Sequence, residues 1–329
     1  MSLWFSIFLL IVLIAIPLIG ASIPGFPLLL GVIIPYAAIA IFLVGFVMRI
    51  IGWAKSPVPF RIPTTSGQEK SLDWIKYAKY DNPHTFWGVV VRMALEIFFF
   101  RSLFRNTKAE LRGQKIVYGS NKYLWAAGLA FHYSFLVIFI RHFKYFVEPI
   151  PGFVSLIQFF DGFFQVGLPI LYLTDALIVA ALGFLLLRRL LDSRLRHLSH
   201  AADWFPLLLI LGIASTGILM RYFIKIDVVS AKELGTGLLS FSPVVPIGVN
   251  PLFYIHLFLV CTLIAMFPFS KLMHLGGIFL SPTRNLANNN RAVRHVNPWN
   301  YDVKVHTYEE YEDEFRDVMK AADMPLDKE

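Results

Sequence analysis

Four histidines lie inside otherwise apolar stretches of this 329-residue chain, His132 and His142 ten residues apart, His256 and His274 eighteen apart. Imidazole is costly to bury in hydrocarbon, so an ionisable residue within a membrane segment is by default a functional one. Four of them in two pairs ask for a common cause, and neutral imidazole is a common axial ligand of haem iron. An iron held by two histidines passes electrons without needing an open position for substrate. The pairing therefore points to two bis-histidine haems. The competing reading is four separate core histidines, each bonded to a backbone or hydroxyl neighbour. The only cysteine, Cys261, excludes an internal disulfide, a Cys-ligated iron–sulfur cluster and a C-x-x-C-H site for covalent haem, so any haem is held non-covalently.

Such ligands need a scaffold in the bilayer, and the composition provides one. The chain is 57% hydrophobic and 16% charged, with a mean hydropathy of +0.61, outside the range of soluble domains. A hydrocarbon core of about 30 Å takes about 20 apolar residues per helix. Six runs qualify: about 3–19, 28–51, 123–147, 167–187, 204–224 and 251–272. The first is short and ends at Pro17 and Gly20; lacking a basic start, it reads as a first span or signal anchor rather than a cleaved signal peptide. The expected fold is an all-α membrane protein of about six transmembrane helices, the last four forming a di-haem cytochrome b bundle.

A formal charge of +8 can signal nucleic acid, but its distribution here signals topology instead. Arg49 and the regions 53–122, 188–200 and 271–329 hold 25 of the 30 Lys and Arg residues. With six spans, all of these fall on one side, which the positive-inside pattern makes cytoplasmic, both termini included. The expected division is an N-terminal hairpin (1–52), a basic cytoplasmic loop (53–122), the four-helix unit (123–275) and a cytoplasmic tail (276–329). Within the loop, 86–100 is apolar yet short and contains Arg92 and Glu96, and is read as a helix lying along the membrane surface. Acidic residues crowd the end of the tail in an expected amphipathic helix, read as a docking arm for a cytoplasmic subunit; a merely solvated end is the alternative.

At about 1.5 Å per residue, His132 and His142 stand about 15 Å apart along span three, and His256 and His274 about 27 Å apart along span six. The two spans run in opposite directions, which sets His132 level with His274 and His142 level with His256. Eighteen residues make five full turns, but ten leave a quarter-turn offset, and the two rises disagree. Pro268 is expected to kink span six between its histidines.

Other polar residues cluster where spans three and four meet the outer face. A redox partner that gives up protons with its electrons needs acceptors near water, and Arg141, Lys144, Glu148 and Asp161 are candidates. Arg141 and Lys144 are also candidates for hydrogen bonds to such a partner or to haem propionates, the alternative being cations that snorkel to lipid phosphate. Arg221 belongs to the same group of partner-binding, propionate or supporting residues. Asp175, well inside span four, is read as orienting a ligand imidazole or carrying protons; a neutral acid packed against Thr174 or Thr216 is the plain alternative. His197 and His200 resemble an H-x-x-H pair but sit in a basic loop, and they, His84, His295 and His306 are assigned to no metal. A transporter would want internal repeats and interrupted helices, and a haem-free anchor would not need the four histidines.

On these histidines the sequence resembles the gamma subunit of respiratory nitrate reductase, a di-haem cytochrome b. The motifs Thr216-Gly-Ile-Leu-Met-Arg-Tyr222, Phe279-Leu-Ser-Pro-Thr-Arg-Asn285 and Arg294-His-Val-Asn-Pro-Trp299 sharpen this toward the cytochrome b subunit of the sulfite-reduction-associated membrane complex (DsrM) and its heterodisulfide-reductase-like relatives. The resemblance covers about 111–299. It implies two haem b groups, His132 and His274 holding the one nearer the cytoplasm and His142 and His256 the outer one. It also implies electron exchange between menaquinone and a cytoplasmic iron–sulfur subunit, within a complex of further membrane and extracytoplasmic redox subunits. The N-terminal hairpin and the long basic loop depart from the nitrate reductase subunit, so that subunit's quinone-site residues do not transfer position for position.

Overall fold

A single segment in hydrocarbon can satisfy its backbone N–H and C=O groups only as a helix. In the computed structural model, which describes residues 2–56, 67–162, 170–246, 248–289 and 304–328, the apolar runs are helical. Five helices are long and apolar enough to cross a bilayer: Ser2–Gly20, Phe26–Ala54, Lys122–Tyr145, Ala201–Ile224 and Pro251–Phe269, which are spans one, two, three, five and six. The fourth is the helix Leu173–Leu191, with Asp175 near its start and Arg188 and Arg189 near its end. The start expected for it at Gly167 lies outside the described residues. The architecture is that of a helical membrane protein.

Ile178 and Leu182 of the fourth helix, Leu209 and Ile210 of span five, and Ile255, Leu259 and Leu263 of span six form the buried core. Leu10, Leu13 and Ile14 of span one and Phe131 and Ile138 of span three pack onto it, so the N-terminal helix shares the core of the later ones. Span two lies along span six. Gly45 makes that approach possible, because a Cβ there would stand 2.8 Å from the Phe269 ring and 3.0 Å from Pro268. Large apolar side chains such as Phe8, Val44, Phe139 and Phe223 face outward, the arrangement expected where the solvent is lipid rather than water.

Span six does not run unbroken to His274. Its α-helix ends at Met266, Phe267–Phe269 forms a 3-10 turn, Ser270 is extended (φ −113°, ψ 174°), and a second 3-10 turn, Lys271–Met273, leads into the short helix His274–Leu280. The expected kink is thus a full break. The break also resolves the spacing mismatch. Ten residues of helix from His256 to Met266 rise about 15 Å, the same as His132 to His142, and the remaining eight turn aside.

Among its described residues the basic loop contains a helical element, Phe86–Phe99 followed by the short helix Arg101–Arg105, and then a strand pair. Phe86–Phe99 is helical, capped by Thr85, whose side chain accepts from Gly88 N at 3.1 Å. Its Arg92 and Glu96 are buried while Phe86, Trp87, Phe98 and Phe99 are exposed, so its polar residues face protein and its apolar ones face out. The second element is one the sequence reading did not foresee. Thr107–Arg112 pairs antiparallel with Lys115–Ser120, and the two-residue turn is made by Gly113 at φ 63°, a conformation that costs glycine little.

In the tail, Tyr308–Ala321 is a helix opened by a Thr307–Glu310 capping box. The motif part Phe279–Asn285 is described; Arg294–Trp299, with His295, lies outside the described residues.

Candidate functional site

Span three carries His132 and His142, span six His256, and the short helix after its break His274; span three packs mainly on the fourth helix and span six on spans one, two and five. Across this separation the rings meet in two pairs. His132 faces His274 with ring centres 5.9 Å apart and planes at 80°; His142 faces His256 at 6.4 Å with planes 12° apart.

Each ring is held by one nitrogen. His132 Nδ1 bonds the Gly128 carbonyl at 2.7 Å, His142 Nδ1 the Ile138 carbonyl at 2.7 Å, and His274 Nδ1 the Lys271 carbonyl at 2.8 Å. His256 Nδ1 instead bonds Thr216 Oγ1 at 2.9 Å. The Thr216 hydroxyl donates to the Gly212 or Ile213 carbonyl at 2.8 or 3.0 Å, leaving its lone pair to accept from the imidazole. Gly217 lets that ring lie against span five, where a Cβ would come within 3.3 Å of His256 Cε1. Acceptors on all four Nδ1–H groups leave each Nε2 with its lone pair, the tautomer a metal requires.

These residues fit haem better than a bare ion. Among the described residues no three His, Cys, Asp or Glu side chains come together as a metal site. Each pair offers two ligands only, so a protein-bound ion would be short of donors that a macrocycle supplies. The separation fits as well. Two imidazole–metal bonds of about 2 Å, each extended about 1.1 Å to its ring centre, give centres about 6.2 Å apart. Histidines kept for packing alone would have covered rings, whereas His132 and His274 are exposed.

Beside His142 lies a buried ionic cluster. Arg141 Nη1 is 2.9 Å from Asp161 Oδ2, and Arg141 Nη2 donates to Asp175 Oδ1 at 2.5 Å. Asp161 also accepts from Thr174 N at 2.9 Å and Thr174 Oγ1 at 2.7 Å, and Asp175 accepts from Tyr222 OH at 2.8 Å. The guanidinium groups of Arg141 and Arg221 cover the Tyr172 ring, 3.8 and 4.2 Å from its centre. Arg221 Nη2 donates to the Ile170 carbonyl at 3.0 Å. The end of span five winds as a π-helix, Leu219–Ile224, a distortion often found at functional sites; Arg221 and Tyr222 lie in it.

Asp175 therefore does not orient an imidazole. It is bound to Arg141 and Tyr222, and the His142 Nδ1 proton goes to backbone. Asp161 is likewise committed to Arg141 and Thr174. Lys144 forms no hydrogen bond or ion pair among the described residues; its ammonium sits 5.0 Å from the Tyr145 ring centre. Glu148 is exposed and paired with Lys232. The residue missed in the sequence is Thr216 as partner of His256; its signal was the Thr-Gly pair on an apolar span.

Residues 83–296 match the nitrate reductase gamma subunit family. The chain belongs to that family. Among curated proteins, this member of the gamma subunit family is 48% identical over 276 residues to an Hdr-like menaquinol oxidoreductase cytochrome b-like subunit of Archaeoglobus fulgidus, covering 82% of each chain. It is 40% identical over 275 residues to the protein of the same description from Archaeoglobus profundus, covering 81% of each.

Proposed function

We propose that this chain is a di-haem b-type cytochrome that passes electrons between membrane menaquinol and a cytoplasmic iron–sulfur subunit of the heterodisulfide-reductase-like kind. The observation that carries this reading is the pair of facing histidine couples, each ring fixed through Nδ1 and so left with its Nε2 lone pair free. His132 and His274 would hold one haem, His142 and His256 the other; bound haem supplies a one-electron relay at each level. The descriptions of the two Archaeoglobus relatives support the quinol and the complex, and the tail motif supports a link to sulfite reduction.

The protein's own part is to position and to neutralise. Two carboxylates are fixed on Arg141, and Tyr222 donates to one of them. Lys144 and Arg221 then remain as the cations able to meet a quinone oxygen or a propionate. Glu148, exposed in the loop after span three, can pass a proton to water. The charge bias puts the His132–His274 pair at the cytoplasmic side with both termini, next to the basic loop and the tail that would meet the iron–sulfur partner.

Adding a reduced naphthoquinol to membranes holding the chain tests the quinol step. A reduced b-type absorption band is expected. Absence of that band, where dithionite still produces it, would remove menaquinol from this account.

A further inference from the structure

One structural unit touches His132 and also holds the chain that follows His274, without belonging to either helix. It is the surface helix Phe86–Phe99 with the turn that follows it. At its far end, Phe100 adopts φ 48° and stops the helix, setting its ring edge-on to His132 with centres 4.9 Å apart. The last carbonyls of the same helix hold span three on either side of that histidine: Trp125 Nε1 donates to Phe99 O at 2.7 Å and Tyr133 OH to Phe98 O at 2.8 Å.

Its middle grips the chain ten to twelve residues beyond His274, past the short helix that His274 opens. Arg92, 3% exposed, donates to the carbonyls of Leu286 at 2.9 Å, Asp81 at 3.2 Å, and Arg284. Glu96 faces Arg284 Nη1 at 3.3 Å and accepts from Ser102 Oγ at 2.5 Å. Asn288 N reaches the Pro83 carbonyl at 2.7 Å. A buried arginine with three carbonyls from two separate segments is costly to desolvate, and a lysine, with one compact ammonium in place of the fork, cannot serve the same set. So much buried polarity in a helix whose outer face is apolar needs a task that membrane contact does not supply.

We infer that Arg92 and Phe100 are positioning residues for the haem at the His132–His274 level, Arg92 fixing the segment that follows His274 and Phe100 the tilt of the His132 ring. This rests on reading the histidine couples as haem ligands. Ring orientation and the ligand's hydrogen bonds tune a haem's potential, so the clamp acts on one haem and leaves the other alone.

The test is a redox titration of the b-type absorption bands in purified Arg92→Lys and Phe100→Leu proteins, with His274→Ala and His142→Ala proteins to identify the bands. Both variants are expected to retain two haems and to shift the midpoint potential of the band that His274→Ala removes. The band removed by His142→Ala should keep its potential. Should Arg92→Lys fail to fold, Phe100→Leu alone decides, since it leaves the buried arginine intact. Two haems with unchanged potentials in Phe100→Leu, or a shift confined to the other band, overturn the inference while sparing the proposed function. A wild-type protein without b-type haem overturns both.

Discussion

Thr216 Oγ1 and His256 Nδ1 lie 2.9 Å apart, the only one of the four imidazole bonds in which the acceptor is a side chain. The others use carbonyls of their own helix or of the turn just before it, which no single substitution removes. Thr216→Val keeps the shape of the side chain and deletes the acceptor. Loss of a partner that orients a metal-bound histidine typically weakens metal affinity about 10–100-fold. Thr216→Val protein should therefore lose one haem on detergent washing while Thr216→Ser keeps both, read as haem per chain. Equal retention in the two variants would contradict the assigned role of the hydroxyl.

The two couples are separate sites, each using one histidine of span three and one of span six or the short helix that follows it. His142→Ala and His274→Ala should each remove one haem, and different ones. Difference spectra of the two proteins check this. Loss of the same band from both would show that the antiparallel pairing is wrong.

Arg141, Asp161 and Asp175 form a buried triad, whereas Lys232 and Glu148 form a pair open to solvent, with side-chain exposures of 30% and 60%. Removing one member of a buried ionic group typically costs about 3–5 kcal/mol, because the other charges stay buried and unpaired. An exposed pair is worth about 0–1 kcal/mol. Arg141→Met should lower resistance to denaturation in detergent sharply and Lys232→Met hardly at all. Similar losses would mean that the triad is solvated in the protein.

Asp81 supplies a pH dependence outside the membrane. Burial would push its carboxyl up, but hydrogen bonds and charge from Arg101 and Arg105 outweigh burial and hold it below its ordinary 3.8. A carboxyl with a lowered folded value contributes stability that is complete above the unfolded value and is lost as pH falls through the folded one. Amide protection around 81–105, relative to the intrinsic exchange rate at each pH, should therefore fall only below about pH 4, and in Asp81→Asn that acid-dependent step should be missing. An unchanged acid response in Asp81→Asn would contradict the assignment.

Much of this was legible because hydrophobic length and residue spacing are local properties. Five of the six spans legible in the sequence begin and end within a few residues of the observed helices, the fourth being displaced to Leu173–Leu191, and antiparallel alignment alone pairs His132 with His274 and His142 with His256. Pro268 announced a disturbance in span six. It did not announce that Ser270 would be extended, which is what lets an eighteen-residue spacing meet a ten-residue one. The partners of Asp175 were illegible for a different reason: Arg141 and Tyr222 come from two other helices, and which faces meet is decided by packing. Arg92 likewise read as a polar residue spoiling an apolar helix, because its carbonyl partners lie up to 194 residues away in sequence. The hairpin Thr107–Ser120 was hidden by its many charges, and only Gly113 marked its turn.

The most direct measurement of the central claim is haem content per chain, from a dithionite-reduced minus oxidised spectrum and acid extraction of the purified protein. Two non-covalent b-type haems per chain are predicted, one lost in His142→Ala and the other in His274→Ala. A protein with no b-type band, or with bands unaffected by both substitutions, would contradict the account.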